Sequence, residues 1–186
     1  MKSKTKIDLG LLIVLVVFGV LGRWLQPTWF FTPTAAVGLF AGYYFSRRWL
    51  ALAAPLCVML ISDLVLPAYG NAAVLVAVYA ALALPVVLGW QLRKNPSYGR
   101  LALCGLLPSV VFYLTTNFAV WATLGWYPPT AAGLLQCYAA ALPFFRWMLT
   151  GDVLYTATLF GAYVFATQQG YLPAINPQPQ PAPALR

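Results

Sequence analysis

The chain has 186 residues, of which 62% are hydrophobic and 8% are charged, and its formal net charge is +8. A soluble domain carries about a quarter charged residues, so this composition excludes an ordinary soluble protein. The basic residues lie between apolar runs and form no stripe. This pattern favours membrane topology signals over nucleic-acid binding, and we expect no nucleic-acid partner.

Seven helical segments are predicted along the chain: six main membrane crossings and one shorter helix. They cover residues 7–25, 33–45, 49–66, 72–90, 101–123, 130–145 and 146–168. The segment at 33–45 is short for a crossing and is predicted to be kinked or partly inserted. The segment at 130–145 is predicted to re-enter the membrane or lie flat at its surface. The fold class is therefore an all-α, polytopic membrane helical bundle.

Two regions are expected along the chain. Residues 1–172 are predicted to form a single transmembrane domain that contacts the lipid bilayer. Residues 173–186 contain regularly spaced prolines, which predict an extended and disordered tail.

The distribution of basic residues predicts the orientation. If the N-terminus is cytoplasmic, nine basic residues lie on the cytoplasmic side and only Arg23 and Arg146 lie toward the outside. The nine are Lys2, Lys4, Lys6, Arg47, Arg48, Arg93, Lys94, Arg100 and Arg186. This bias predicts a multi-pass membrane protein with both termini cytoplasmic.

Histidine is absent from the sequence. Its absence excludes Ser–His and Cys–His hydrolases, histidine-ligated haem and histidine-containing zinc sites. Cys57, Cys104 and Cys137 lie in apolar stretches, and their spacing fits no zinc or iron–sulfur motif. We interpret them as small buried hydrophobes, with soft-metal ligation as the alternative. No cofactor, no metal and no enzymatic activity are expected.

Asp63 and Asp152 are the most informative residues, because a carboxylate at membrane depth is costly and normally faces a bundle interior or a wet cavity. We expect Asp152 to be buried and hydrogen-bonded. We expect Asp63 and Arg146 to line one outward-facing site, where they contact a ligand or each other. The other candidate substrate-binding residues near this end are Tyr69, Asn117, Trp121 and Tyr155. A structural Asp–Arg pair, or residues unrelated in space, are the alternatives.

Five segments carry a family resemblance. They are FTPTAAVGLFAGYYF at 31–45, SDLVL at 62–66, TNFAVW at 116–121, CYAAALPFFR at 137–146 and GDVLY at 151–155. Together they resemble signature stretches of an uncharacterised family of small bacterial integral membrane proteins. The resemblance covers about residues 28–165 and brings no established activity with it.

The architecture also resembles the S-components of energy-coupling-factor vitamin transporters, including the solitary cobalamin type. That resemblance implies six helices, a short displaced helix and a ligand site near the outer face. It also implies that Asp63 and Arg146 match polar site positions. The region directly after Tyr69 has no cysteine where a cobalt-binding thiol would stand, so cobalamin is not implied.

Three functions remain open from the sequence. The first is a solute-binding uptake protein that binds a small vitamin-like compound. The sequence has no Walker motif, so an ATP-driven step would need an energy-coupling membrane partner. The second is a structural or accessory membrane subunit without a ligand. The third is an intramembrane enzyme acting on a lipid-linked substrate, with Asp63 and Asp152 as acid and base.

Overall fold

The structure is a computed structural model that describes residues 2–175, and the described part of the chain is helical throughout, without strands. Its segments are α1 (Lys2–Trp24), α2 (Thr34–Tyr44), α3 (Arg48–Ser62), α4 (Ala72–Ala81), α5 (Ala83–Lys94), α6 (Tyr98–Thr123) and α7 (Ala131–Gln168). Segments α4 and α5 follow each other directly across Leu82 and form one bent helix. The described residues therefore form six helices.

Pro85 explains the bend between α4 and α5. A proline has no backbone N–H to donate to the carbonyl four residues earlier, which here is that of Ala81. Ala81 is the last residue of α4, so the helix bends where this hydrogen bond is missing. The predicted single helix at 72–90 is thus present, but it is bent and continues to Lys94.

Helix α7 corrects the prediction for the end of the chain. The expected short helix at 130–145 and crossing at 146–168 are one continuous helix of 38 residues. Pro143 lies inside it and does not end it. Membrane helices tolerate proline because neighbouring groups satisfy the freed carbonyl, so the separate seventh helix is not formed.

Helix α2 lies at the centre of the bundle. It has 11 residues, and ten of them are buried. It contacts α1, α3, α5, α6 and α7. A helix of this length would be about 17 Å long, which is too short to cross the hydrocarbon layer alone. Its backbone polar groups are instead shielded by the surrounding helices.

Two glycines bring the backbones of α2 and α5 into direct contact. A Cβ atom placed on Gly42 would lie 2.2 Å from the carbonyl oxygen of Val86. A Cβ atom on Gly89 would lie 2.2 Å from the carbonyl oxygen of Leu39. No larger side chain fits at this distance, so the position of α2 depends on both glycines.

The outward faces of the bundle are apolar. Ile13, Leu60, Leu103 and Phe165 each expose more than half of their surface. Four helices in the described part of the chain are long and apolar enough to cross a membrane: Lys4–Trp24, the bent helix Ala72–Lys94, Tyr98–Thr123 and Ala131–Gln168. Apolar surface of this extent on helices of this length is expected of a protein in contact with a lipid bilayer.

The predicted boundary at residue 172 stays a prediction, because most of the tail, residues 176–186, lies outside the described residues. The described residues after α7 turn back onto the bundle. The Tyr163 hydroxyl lies 3.3 Å from the Pro173 carbonyl oxygen and accepts a hydrogen bond from the Ile175 N–H at 2.9 Å. Leu172 and Ile175 pack against the apolar core.

Gly42→Ala and Gly89→Ala should each lower the free energy of unfolding by about 1–3 kcal/mol or more, because the new methyl group would overlap backbone atoms. Unfolding by SDS titration in mixed micelles measures this change. The matched control is Gly161→Ala, since a methyl group placed on Gly161 in α7 would have no atom of another helix within 4 Å. Equal stability of all three variants would contradict the close α2–α5 contact.

Candidate functional site

A cavity of about 320 Å³ lies at the end of the bundle formed by the α1–α2 and α3–α4 loops. We call this the cavity end. Its wall is mainly apolar and aromatic, with residues from every helical segment. The polar lining residues are Arg23, Gln26, Thr32, Thr34, Tyr69, Tyr113, Thr116, Asn117 and Asp152. A volume of this size, with few polar groups in an apolar wall, is typical of a small-molecule site.

An ion pair joins the ends of α1 and α3 at one side of this cavity. Arg23 lies in the last turn of α1, and its Nη2 atom is 3.0 Å from Oδ1 of Asp63. The two side chains are 12% and 19% exposed. The other guanidinium nitrogen contacts the sulfur of Met59. The pair therefore anchors α1 to α3 and places a cation in the cavity wall beside its counter-ion.

Two tyrosines complete the surroundings of Asp63. The hydroxyls of Tyr69 and Tyr79 donate hydrogen bonds to its Oδ2 atom at 3.0 and 2.9 Å. Burial raises the pKa of the Tyr69 hydroxyl, and the nearby Arg23 guanidinium opposes that effect only in part. Tyr69 thus remains a donor at neutral pH. We call Arg23, Asp63, Tyr69 and Tyr79 the Asp63 cluster.

Asp152 lies deep in the bundle, away from the Asp63 cluster in sequence and on a different helix. It is 3% exposed, and the Ser109 hydroxyl of α6 donates to its Oδ2 atom at 2.5 Å. The expectation of a buried, hydrogen-bonded Asp152 is confirmed. Asp152 also lines the cavity. A carboxylate in this position is costly unless donors or a cation accompany it.

The cavity wall formed by α6 and α7 is held by side-chain to backbone hydrogen bonds. The Tyr113 hydroxyl donates to the Tyr138 carbonyl at 2.6 Å, and the Tyr138 hydroxyl donates to the Leu114 carbonyl at 2.9 Å. Asn117 lines the cavity, but its amide nitrogen donates to the Tyr113 carbonyl within α6. The two bonds made by the Tyr113 and Tyr138 hydroxyls fix α6 to α7.

Two other candidate residues, Trp121 and Tyr155, are not among the residues that line the cavity. Trp121 donates its indole N–H to the Pro128 carbonyl at 2.9 Å and closes the α6–α7 loop. Tyr155 packs its ring against Phe18 and Phe31. Of the seven candidates, Tyr69, Asn117 and Asp152 line the cavity. Asp63 is paired with Arg23, which lines it. Their roles in ligand binding stay predictions.

Asp63 and Arg146 were expected to contact a ligand or each other, and the direct contact between them is not formed. Arg146 is exposed, and its guanidinium lies over the ring of Trp147 at 5.3 Å from the ring centroid. Arg23 is the cation that pairs with Asp63. The sequence contains a signal for this partner, since Arg23 is the other basic residue that the charge distribution assigns to the outer side. Both Arg23 and Asp63 stand at the C-terminal ends of their helices.

Sequence reasoning missed Tyr79 and Ser109. Tyr79 lies in an apolar helix, where its hydroxyl gives no indication of its partner. Ser109 follows Pro108 in α6, and its pairing with Asp152 depends on the contact between α6 and α7. The rule that a buried carboxylate needs a donor predicts that such a residue exists, but not which one it is.

Comparisons with known proteins place the chain in a family. Residues 3–178 match the family described as "Family of unknown function (DUF6580)", and the chain belongs to that family. No curated protein matches the chain, and no solved structure matches it.

Arg23→Ala and Asp63→Ala should each destabilise the protein by about 1–3 kcal/mol, because each leaves a partly buried charge without its partner. The double variant should lose less than the sum, with a coupling energy of at least about 1 kcal/mol. SDS titration measures all three variants. Arg146→Ala is the control and should change stability by less than about 0.5 kcal/mol. Additive losses would contradict the ion pair.

Proposed function

We propose that the chain is a membrane solute-binding and uptake protein, and that it holds a small vitamin-like compound in the cavity described above. The observation that carries the proposal is the cavity of about 320 Å³, with the Asp63 cluster at its wall and the buried Asp152 in its lining. Polar groups that converge on an apolar hollow can orient a small molecule while its apolar surface is removed from water.

The proposal draws on the resemblance to the S-components of energy-coupling-factor vitamin transporters, and the number of helices agrees with it. The bent helix α4–α5 and the five other helices match the six helices that such a resemblance implies. The six helices are proposed to run between the two ends of one membrane-embedded bundle, with the short α2 enclosed by the longer helices. Uptake would then need a separate energy-coupling membrane partner, since the sequence has no Walker motif.

The proposed orientation places the cavity outside and both termini in the cytoplasm of a bacterial inner membrane. The basic side chains support it. Arg47 and Arg48 lie before and at the start of α3, Arg93 and Lys94 end α5, and Arg100 lies in the first turn of α6. The Arg93 guanidinium donates to the Tyr44 carbonyl at 2.9 Å, which brings the ends of α2 and α5 together. These residues share the end opposite the cavity.

We propose that the two aspartates contribute to ligand binding and do not act as catalytic groups. Asp63 pairs with one cation and accepts hydrogen bonds from two hydroxyls, which hold it in place beside Arg23. Asp152 belongs to a separate hydrogen-bonded pair with Ser109. This separation argues against a paired acid and base acting on a lipid-linked substrate.

A structural or accessory subunit is the second candidate. It is favoured by the way the Asp63 cluster satisfies its own members, because the ion pair could serve only to join α1 to α3. In that case the cavity would hold water or lipid tails, and no specific compound would accompany the protein.

Mass spectrometry of small molecules released from the purified protein should identify a bound compound. Ala141→Trp should remove it, because Ala141 lines the cavity and an indole would fill part of the volume. Ala140→Trp is the matched control, since Ala140 is the preceding residue of α7, is exposed and is not part of the lining. Equal retention by both variants, or no compound in the wild type, would contradict the proposal and favour an accessory subunit.

Cysteine labelling in intact cells should show the orientation. In a background where Cys57, Cys104 and Cys137 are replaced by alanine, Pro96→Cys should be protected from a membrane-impermeant maleimide. Trp126→Cys should react with it. Both positions are exposed loop residues, one in the α5–α6 loop and one in the α6–α7 loop. The reverse pattern would invert the proposed topology.

A further inference from the structure

The described cavity lining lacks the basic excess of the chain as a whole. The chain has a formal net charge of +8. In the described residues that line the cavity, the charged side chains are Arg23 and Asp152. Arg23 is neutralised by Asp63 at 3.0 Å. When Asp152 is ionised, the cavity and its adjoining ion pair together carry one excess negative charge.

Asp152 has few partners for a carboxylate. An ionised carboxylate can accept about four hydrogen bonds. In the part of the chain that the structure describes, Ser109 is the residue whose side chain donates to it, and it has no arginine or lysine partner. Since Asp152 is almost fully buried and lines the cavity, a cationic donor from a ligand could supply what the protein does not.

Aromatic side chains share the cavity lining with Asp152. On α7, Phe145 and Met148 precede Asp152 by seven and four residues, which places them on the same helix face. On α6, Phe112 is one turn beyond Ser109. The rings of Tyr113 and Phe145 lie 4.7 Å apart between their centroids. An aromatic wall beside a carboxylate is a common environment for a cationic nitrogen.

We propose that the cavity selects organic cations: small molecules whose protonated amine pairs with Asp152 and whose apolar or aromatic body lies against Phe112, Phe144 and Phe145. This inference rests on the proposed solute-binding function and specifies its ligand class. An anionic ligand would meet Asp152 without a free cation in the described lining to balance it, because Arg23 is already paired. A neutral ligand would gain no charge-assisted contact with Asp152.

The first experiment compares two probes of nearly equal shape on the purified wild-type protein. Tryptamine is cationic at neutral pH, and 3-ethylindole is its close neutral analogue. Isothermal titration should give tryptamine an affinity at least about tenfold higher, owing to the charge-assisted contact with Asp152. This comparison needs no substitution, so it does not depend on whether a variant folds.

Asp152→Asn should reduce the preference for tryptamine to less than about threefold, because the amide keeps the shape and loses the charge. Asp8→Asn is the matched control, since it removes the same charge from the opposite end of α1 and should keep the preference. Melting temperatures of both variants show whether each is folded.

The outcomes separate the inference from the function on which it rests. Equal affinity for both probes in the wild type, or an undiminished preference in a folded Asp152→Asn protein, would overturn the cation proposal while leaving solute binding in place. Binding of neither probe would overturn the cation proposal too. The solute-binding proposal has its own test. It would be contradicted if the wild type released no bound compound, or if Ala141→Trp retained the compound as well as the control does.

Discussion

The backbone contact between α2 and α5 is the constraint on which the bundle depends. Gly42 and Gly89 allow α2, which is too short to cross a membrane, to occupy the centre of the bundle. In lipid, every backbone polar group must be satisfied or shielded by protein, so α2 can be short only because other helices enclose it. Its N-terminal residues Thr34 and Ala35 then form part of the cavity wall. The hollow exists where α2 stops and the longer helices continue.

Prolines and polar side chains shape the same hollow. Pro85 and Pro108 line the cavity, and the bend at Leu82 turns α4 relative to α5 at that level. The Asp63 cluster ties α1, α3 and α4 together, while Ser109 and Asp152 tie α6 to α7. Two polar contacts of different character therefore hold two halves of the wall. The Asp63 cluster pairs one cation with one carboxylate, whereas among the described residues the Asp152 carboxylate has the Ser109 hydroxyl as its side-chain donor.

Much of this arrangement follows from the sequence, and the remainder has identifiable causes. Runs of apolar residues place α1 to α6 to within a few residues, and the cost of a buried carboxylate predicts the setting of Asp152. The continuity of α7 was missed because Pro143 indicates a break in a soluble helix but not in a membrane helix. The partner of Asp63 was missed because helix spacing along the chain does not show which helices are neighbours. From the sequence alone, Arg23 and Arg146 are equally suitable partners for Asp63. The contact between α1 and α3 is what brings Arg23 to it.

The length of α7 has a consequence for the surrounding lipid. At 1.5 Å per residue, its 38 residues extend roughly 57 Å, against about 30 Å for the hydrocarbon layer. Tilt within the usual range of about 40° still leaves α7 longer than this layer is thick. Part of α7 therefore extends among the headgroups, and its first turns, with exposed Leu135 and Leu142, are apolar enough to do so at the hydrocarbon boundary. Ala141 and Phe144 lie in that stretch and line the cavity. The acyl-chain length of the host membrane thus determines how much of the cavity wall is immersed in lipid.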